Sequence, residues 1–218
     1  MERVPEPELM EEEEQARAYS SADFEAPHEA FVEESNRAFS GSVTGRILDL
    51  GCGPGDITVR FAKRHPKCTV VGIDGSEAML HFGRERVELE GLSHRVKLKR
   101  VFLPAEDLDS GFDGAISNSL LHHLQHPEVL WQSLGQHVQS GAPVFVMDLL
   151  RPQSRAEAEK LVAAYSGEEP EILQRDFFLS LCAAYRVDEI QSQLQAAGLA
   201  HLKMEVISDR HWVVYGNI

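Results

Sequence analysis

RILDLGCGPGD, residues 46–56, is the stretch from which this 218-residue chain can be read. A short apolar, β-prone run ends at Asp49 and Leu50. Glycines then stand at 51, 53 and 55, with Pro54 between the last two. Glycine inside a regular element costs about 1 kcal/mol relative to alanine. Three of them in five positions mark a turn that something approaches closely. The next residues, DITVRFAKRH (56–65), put Ile57, Phe61 and Ala62 on one helical face. The loop therefore joins a strand to a helix. It lies where open α/β sheets bind ligands, at the carboxyl end of a strand.

Outward from that loop the elements alternate. TVVGID (69–74), VKLKRV (96–101), FDGAISN (112–118) and APVFVMDL (142–149) read as strands, and 76–91 and 127–139 as helices. This order predicts a mainly parallel sheet covered on both faces. The alternation stops after residue 149. Residues 154–165 and 171–185 read as helical, and 187–198 as a helix ending on Gly198. LKMEVIS (202–208) and HWVVYG (211–216) are separated only by Asp209 and Arg210, a link short enough to require an antiparallel hairpin. The expected fold class is α/β: a doubly wound, mainly parallel seven-stranded sheet with a C-terminal antiparallel hairpin and helices on both faces. Residues 1–40 form an acidic helical leader or cap, and 41–218 the body. Within the body, 150–185 is a helical insertion and a candidate substrate lid.

Composition narrows the partners. Hydrophobic content of 43% and charged content of 26% are ordinary for a globular protein. No apolar run approaches the roughly 20 residues that span a bilayer, and MERVPEPELMEEEEQ is acidic where a targeting peptide is basic and apolar. Cys52, Cys68 and Cys182 are odd in number and scattered, which argues against a disulfide framework or a thiolate zinc site. A cytoplasmic location without membrane contact is expected. Of the net charge of −14, residues 1–36 carry −10. Glu11 to Glu14 reads as a solvated run at a helix start. No basic stretch exceeds VKLKR (96–100), so no nucleic-acid partner is expected.

Asp74 sharpens the ligand. It ends the second strand, 19 residues after Gly55, the spacing of a carboxylate that accepts bonds from both ribose hydroxyls. A nucleoside ligand follows. G-x-G-x-G departs from the dinucleotide fingerprint G-x-G-x-x-G, and no phosphate-binding G-x-x-x-x-G-K-[ST] occurs. With LDLGCGPGDIT followed by VVGIDGSEAML, the chain resembles class I S-adenosylmethionine-dependent methyltransferases, over roughly residues 15–149 and the closing hairpin.

The resemblance implies S-adenosyl-L-methionine as cofactor, S-adenosyl-L-homocysteine as product, and a methyltransferase domain in 41–218. Gly51, Cys52, Gly53 and Gly55 would line the methionine part, with Asp49 supporting the loop. Asp74 and Gly75 would hold the ribose, with Ser76 and Met79 flanking ribose and adenine. Tyr19 matches an aromatic residue that closes over the cofactor; its other reading is a staple packing the leader onto the body. SNSLLHHL matches the segment whose backbone carbonyl, near Asn118, takes the ammonium group, with His123 as a further cofactor contact. Pro104 stands where the family carries an acid, which leaves Ala105 to offer its N–H and Glu106 or Asp107 a carboxylate to adenine.

Methyl transfer from a sulfonium is an in-line displacement, in which the protein aligns the nucleophile and excludes water. A base is needed only for an acceptor that keeps its proton at neutral pH. His123 and Asp148 are the catalytic candidates, His123 reading also as a structural or cofactor-contacting group. His122 and His126 stand i, i+4, a spacing that can bind metal with Asp148 approaching as third ligand, but no metal is expected. Asp148 and Arg151 either orient a polar acceptor or form an ion pair anchoring the insertion. Phe177 and Tyr185, in RDFFLSLCAAYR, either border the acceptor or pack in the core. His211, in the hairpin connection, is a further candidate. No [DN]-P-P-[YF] and no Pro-Cys follow the fourth strand, which argues against the amino-methylating and covalent pyrimidine subtypes. A small-molecule acceptor is expected. The alternatives are a catalytically silent S-adenosylmethionine-binding regulatory module and a protein methyltransferase.

Overall fold

Ile47 and Leu48 are neighbours in β1 (Gly45–Leu50) and both fully buried, yet they belong to different cores. Val70 and Val71 in β2 (Cys68–Asp74) divide in the same way, as do Phe145 and Val146 in β5 (Pro143–Leu149). Successive strand side chains point to opposite faces. The nearly unbroken apolar runs of this sequence are therefore what a sheet covered on both sides needs. The computed structural model describes residues 1–6, 12–40 and 43–218.

β3 (Val96–Arg100), β4 (Gly114–Asn118), β6 (Lys203–Val206) and β7 (His211–Asn217) complete a sheet of order β3-β2-β1-β4-β5-β7-β6. The first five strands pair in parallel, and β7 runs antiparallel to both β5 and β6. This is the expected doubly wound α/β sheet with its C-terminal hairpin. β6 is shorter than its reading from the sequence. It lies at the sheet edge, where Val206 and Ile207 are exposed and residue 207 leaves the strand.

α5 (Glu128–His137) and α8 (Val187–Ala196) cover one face, around the buried Trp131 and Trp212. α2 (Glu25–Ala38), α3 (Asp56–Arg64) and α4 (Glu77–Leu89) cover the other. Phe31 of α2 is fully buried and stands edge-on to Phe145, ring centroids 5.1 Å apart. The second half of the acidic leader is thus part of the core on that face. α1 (Glu13–Ser21) leads into it, with Glu12, Glu13 and Glu14 exposed; Glu11 lies outside the described residues.

α6 (Arg155–Tyr165) and α7 (Glu171–Ala183) fill the insertion and share a small core of Ala158, Leu161, Leu181 and Ala184 against Leu149. α7 stops before Tyr185 because that residue bridges to Leu150 in extended form. Residues 1–6 run along this insertion. The Val4 N–H donates to the Cys182 carbonyl at 3.0 Å, and the Arg3 guanidinium to the carbonyls of Ala183 (2.6 Å) and His122 (3.0 Å). Strand order reverses between β1 and β4, so the loops that leave their carboxyl ends diverge and open a crevice.

Candidate cofactor and active site

The glycine loop floors that crevice. The N–H groups of Gly51 and Cys52 both donate to the Ile73 carbonyl at 2.9 Å, pinning the loop to the end of β2. Gly51 and Gly53 have φ of +72° and +49°, a left-handed conformation that side chains disfavour. A Cβ at Gly51 would lie 2.8 Å from the Leu120 side chain. A Cβ at Gly53 would meet nothing within 4 Å, because its backbone faces open space.

That space is a solvent-open cavity of about 160 Å³. Asp74 borders it. One of its oxygens accepts the Gly53 N–H at 2.9 Å and the other the Ser76 N–H at 2.8 Å. Burial pushes its carboxyl above the ordinary range, against those backbone bonds. Ser76 also caps α4, its hydroxyl accepting the Met79 N–H at 3.2 Å. Asp49, 2% exposed, accepts the Thr58 hydroxyl at 2.5 Å; burial pushes its carboxyl up to about 7.

Asn118 also borders the cavity, and its side chain donates to the Ser119 hydroxyl at 3.2 Å. Its Oδ1 is buried and has no hydrogen-bond partner among the described residues. A buried acceptor left in this state costs about 1–3 kcal/mol, so its position fits a donor supplied by a ligand.

The roof comes from the leader. Tyr19, Phe24 and His28 form an aromatic run, with ring centroids 4.8 and 5.2 Å apart. Burial pushes the Tyr19 phenol up to about 12, aided by Asp56. His28 Nδ1 lies 2.6 Å from Asp56, which also takes Arg60 at 2.8 Å and pairs with Arg86. The Arg86 guanidinium donates in turn to the Ser20 carbonyl at 3.0 Å, tying the end of α1 to α4.

Tyr19, Asp49, Gly51, Cys52, Gly53, Asp74, Gly75, Ser76, Met79, Asn118 and His123 all border this one cavity. Other expectations are corrected. Gly55 does not border it; this residue packs against α4, where an added Cβ would lie 3.3 Å from the Gly83 Cα. Ala105 is buried in the main core and Glu106 is exposed, so Val101, Phe102 and Leu103 form the wall instead.

The acceptor-side residues also fall elsewhere. Asp148, 1% exposed, lies behind the turn that follows β4, where it accepts the Leu121 N–H at 2.7 Å and meets His122 Nδ1 at 2.5 Å. Arg151 is turned away from Asp148 and bonds to Glu189 at 2.8 Å and the Ala184 carbonyl at 3.3 Å. Phe177 packs on the α6–α7 core. Tyr185 is in the main core, with its hydroxyl 3.5 Å from the Leu124 carbonyl and the Arg3 guanidinium over its ring. His122 and His126 do not meet, because Leu121–His123 is a short 3-10 turn after which His126 is exposed beside Glu128. His211 bonds to Ser208 at 3.1 Å, away from the cavity.

The sequence reading missed His28, Asp56 and Phe102. Asp56 directly follows the glycine loop, and its i+4 partner Arg60 was the available signal.

A family model described as a methyltransferase domain matches residues 47–141. The trans-aconitate 2-methyltransferase of Variovorax paradoxus is 35% identical over 126 residues, covering 57% of this chain and 46% of that protein. That of Mycolicibacterium gilvum is 39% identical over 92 residues, covering 42% and 33%. The resemblance to the class I S-adenosylmethionine-dependent methyltransferases is thus carried by a methyltransferase domain over residues 47–141. The matches span less than half the length of these two curated relatives. An S-adenosylmethionine-dependent methyltransferase from Aquifex aeolicus shares the fold with a TM-score of 0.67 at 18% identity, covering 94% of this chain and 97% of that one. The plantazolicin methyltransferase BpumL, solved with S-adenosylhomocysteine, gives 0.65 at 14% identity, covering 92% and 84%. The glycine loop, Asp74 and Asn118 all lie within the matched residues and border the same cavity.

Proposed function

We propose that this chain transfers a methyl group from S-adenosylmethionine to a small-molecule acceptor. The observation that carries the reading is the polarity of one cavity. A carboxylate (Asp74) borders it, and so does Asn118, whose amide oxygen is buried without a partner among the described residues. A ligand with a ribose diol at one end and an ammonium at the other satisfies both.

When bound, S-adenosylmethionine supplies an electrophilic methyl group on its sulfonium. Asp74, already oriented by the Gly53 and Ser76 amides, accepts the ribose hydroxyls. Asn118 Oδ1 accepts from the ammonium, and Gly53 lets the chain approach without a side chain. Val101, Phe102 and Leu103 offer an apolar wall to the adenine, while Tyr19, packed on Phe24, keeps water from the roof. Alignment and exclusion of water are the protein's share of such a displacement. Asp148 and Arg151 lie off the cavity, so His123 is the titratable group left on the acceptor side.

The small-molecule acceptor is supported by the names of the trans-aconitate relatives and by a sequence in which no basic run exceeds VKLKR (96–100). Among the described residues, no helix is long and apolar enough to cross a membrane. The three free, buried cysteines fit the cytoplasmic placement that forms part of this proposal. The test has two arms. Calorimetry should show saturable S-adenosylhomocysteine binding that is weakened in Asp74→Ala. Incubation of the protein with radiolabelled methyl donor and a metabolite extract should label one small product, identified by mass. Cofactor binding without any labelled product would favour the silent regulatory module.

A further inference from the structure

Glu6, His122 and His123 bring one ligand atom each to a common point beside the cavity, all within 4.8 Å of one another. Glu6 Oε1 lies 3.5 Å from His122 Nε2 and 3.2 Å from His123 Nδ1. These separations are at or beyond the long end of N–H···O hydrogen bonds. They do match the edges of a tetrahedron: ligand atoms about 2.0–2.1 Å from a zinc ion stand about 3.3–3.4 Å apart.

The surroundings are those of a metal site. A ligating histidine usually donates its other ring N–H to a carboxylate, which fixes its tautomer. His122 Nδ1 is held by Asp148 at 2.5 Å, leaving Nε2 for the ion. Asp148 is itself oriented by the N–H groups of Leu121 (2.7 Å) and Leu149 (2.6 Å). Glu6 is positioned by the Ser180 hydroxyl at 3.0 Å. Charge favours a cation as well. Asp148 and Asp176 stand close enough to act on the Glu6 charge, Asp176 being itself paired with Arg175. The nearby guanidinium of Arg3 is engaged by the carbonyls of His122, Leu124 and Ala183 and by the Tyr185 ring.

We infer that Glu6, His122 and His123 form a binding site for a divalent transition metal of the zinc class. Two imidazoles and one carboxylate select such ions over magnesium or calcium. Three protein ligands leave a fourth position for water or for an oxygen donor of the acceptor. His123 also borders the cavity, so the ion sits at its edge. The ion also clamps residues 1–6 onto the turn after β4, since Glu6 comes from the N-terminal segment and the histidines from Leu121–His123.

Full-length protein stripped with a chelator is titrated with cobalt(II), without cofactor, and read by visible absorption. One equivalent should produce the ligand-field bands of a four-coordinate ion, and zinc should displace it. Glu6→Gln and His123→Ala should each lower cobalt affinity at least about 10-fold, and Asp148→Asn about 10–100-fold as an outer-shell loss. His126→Ala should leave it unchanged. Circular dichroism confirms that each variant is folded, and Glu6→Gln, on the terminal segment, tests the site without opening the core. The inference is overturned by an absence of stoichiometric cobalt binding, by affinity insensitive to Glu6→Gln and His123→Ala, or by a thiolate charge-transfer band placing the ion on a cysteine. S-adenosylhomocysteine binding is a separate measurement and does not bear on it.

Discussion

The Asp74 carboxylate holds the Gly53 amide at 2.9 Å, so the residue assigned to the ribose also shapes the glycine loop. Its other oxygen holds the Ser76 N–H that starts α4. Both oxygens face donors. Asp74→Asn must turn an NH₂ toward one of them and lose that bond. Hydrogen bonds to a charged group are worth about 1.5–3 kcal/mol. S-adenosylhomocysteine affinity measured by calorimetry should fall by one to two orders of magnitude, with the far-ultraviolet spectrum unchanged. Unaltered affinity would remove Asp74 from the ribose site.

Gly53 separates fold from binding. At φ +49° a side chain costs about 1–2 kcal/mol, but nothing lies within 4 Å of the position a Cβ would take. Gly53→Ala should therefore fold, with a melting temperature lowered by a few degrees. The new methyl group projects toward the cavity, so cofactor affinity should fall by more than the stability loss accounts for. Equal wild-type and variant affinities would mean that the ligand does not approach this backbone.

The parts of the site that were legible in the sequence depend on backbone geometry. Gly51 and Gly53 need positive φ, and Asp74 must end β2; each leaves a trace at a fixed offset. The fold was legible for a related reason, because alternate residues such as Ile47 and Leu48 had to be apolar on both faces. The acceptor side depends on how separate segments pack. Asp148 looked available at the end of β5, yet the turn at Leu121–His123 closes over it. No local pattern records that residues 1–6 would lie along α7 and bring Glu6 to His122. Pro104 signalled a departure from the expected pattern after β3, and the cavity wall there is Val101, Phe102 and Leu103.

Asp56 gathers His28, Arg60 and Arg86 and so anchors the roof to the first helix of the body. Burial alone would raise its carboxyl, but bonds from His28 and Arg60 and the Arg86 charge outweigh that and hold it well below the usual range. A depressed carboxylate contributes stability that is present above its unfolded value of about 3.9 and lost as pH falls below it. Asp56→Asn should cost about 2 kcal/mol at pH 7 by urea unfolding. The gap to the wild type should narrow as pH is lowered below about 4. A constant gap across that range would deny the charge its role.

Asp49 has the opposite sign. Burial, against the Thr58 bond and with help from the Asp74 charge, lifts its carboxyl to about 7. The folded protein therefore holds a proton there between about pH 4 and 7 that the unfolded chain has released. This group's contribution is fully present below about pH 4 and is lost as pH rises through 7. Asp49→Asn keeps an oxygen for the Thr58 hydroxyl and cannot titrate. Its melting temperature should vary less than that of the wild type across this window, and the difference, variant minus wild type, should grow with pH. Asp49 also borders the cavity, where a cationic ligand favours the ionised form. S-adenosylmethionine binding at pH 6 should thus release protons, seen as a dependence of the calorimetric enthalpy on buffer ionisation enthalpy. That dependence should vanish in Asp49→Asn; if it persists there, the proton comes from another group.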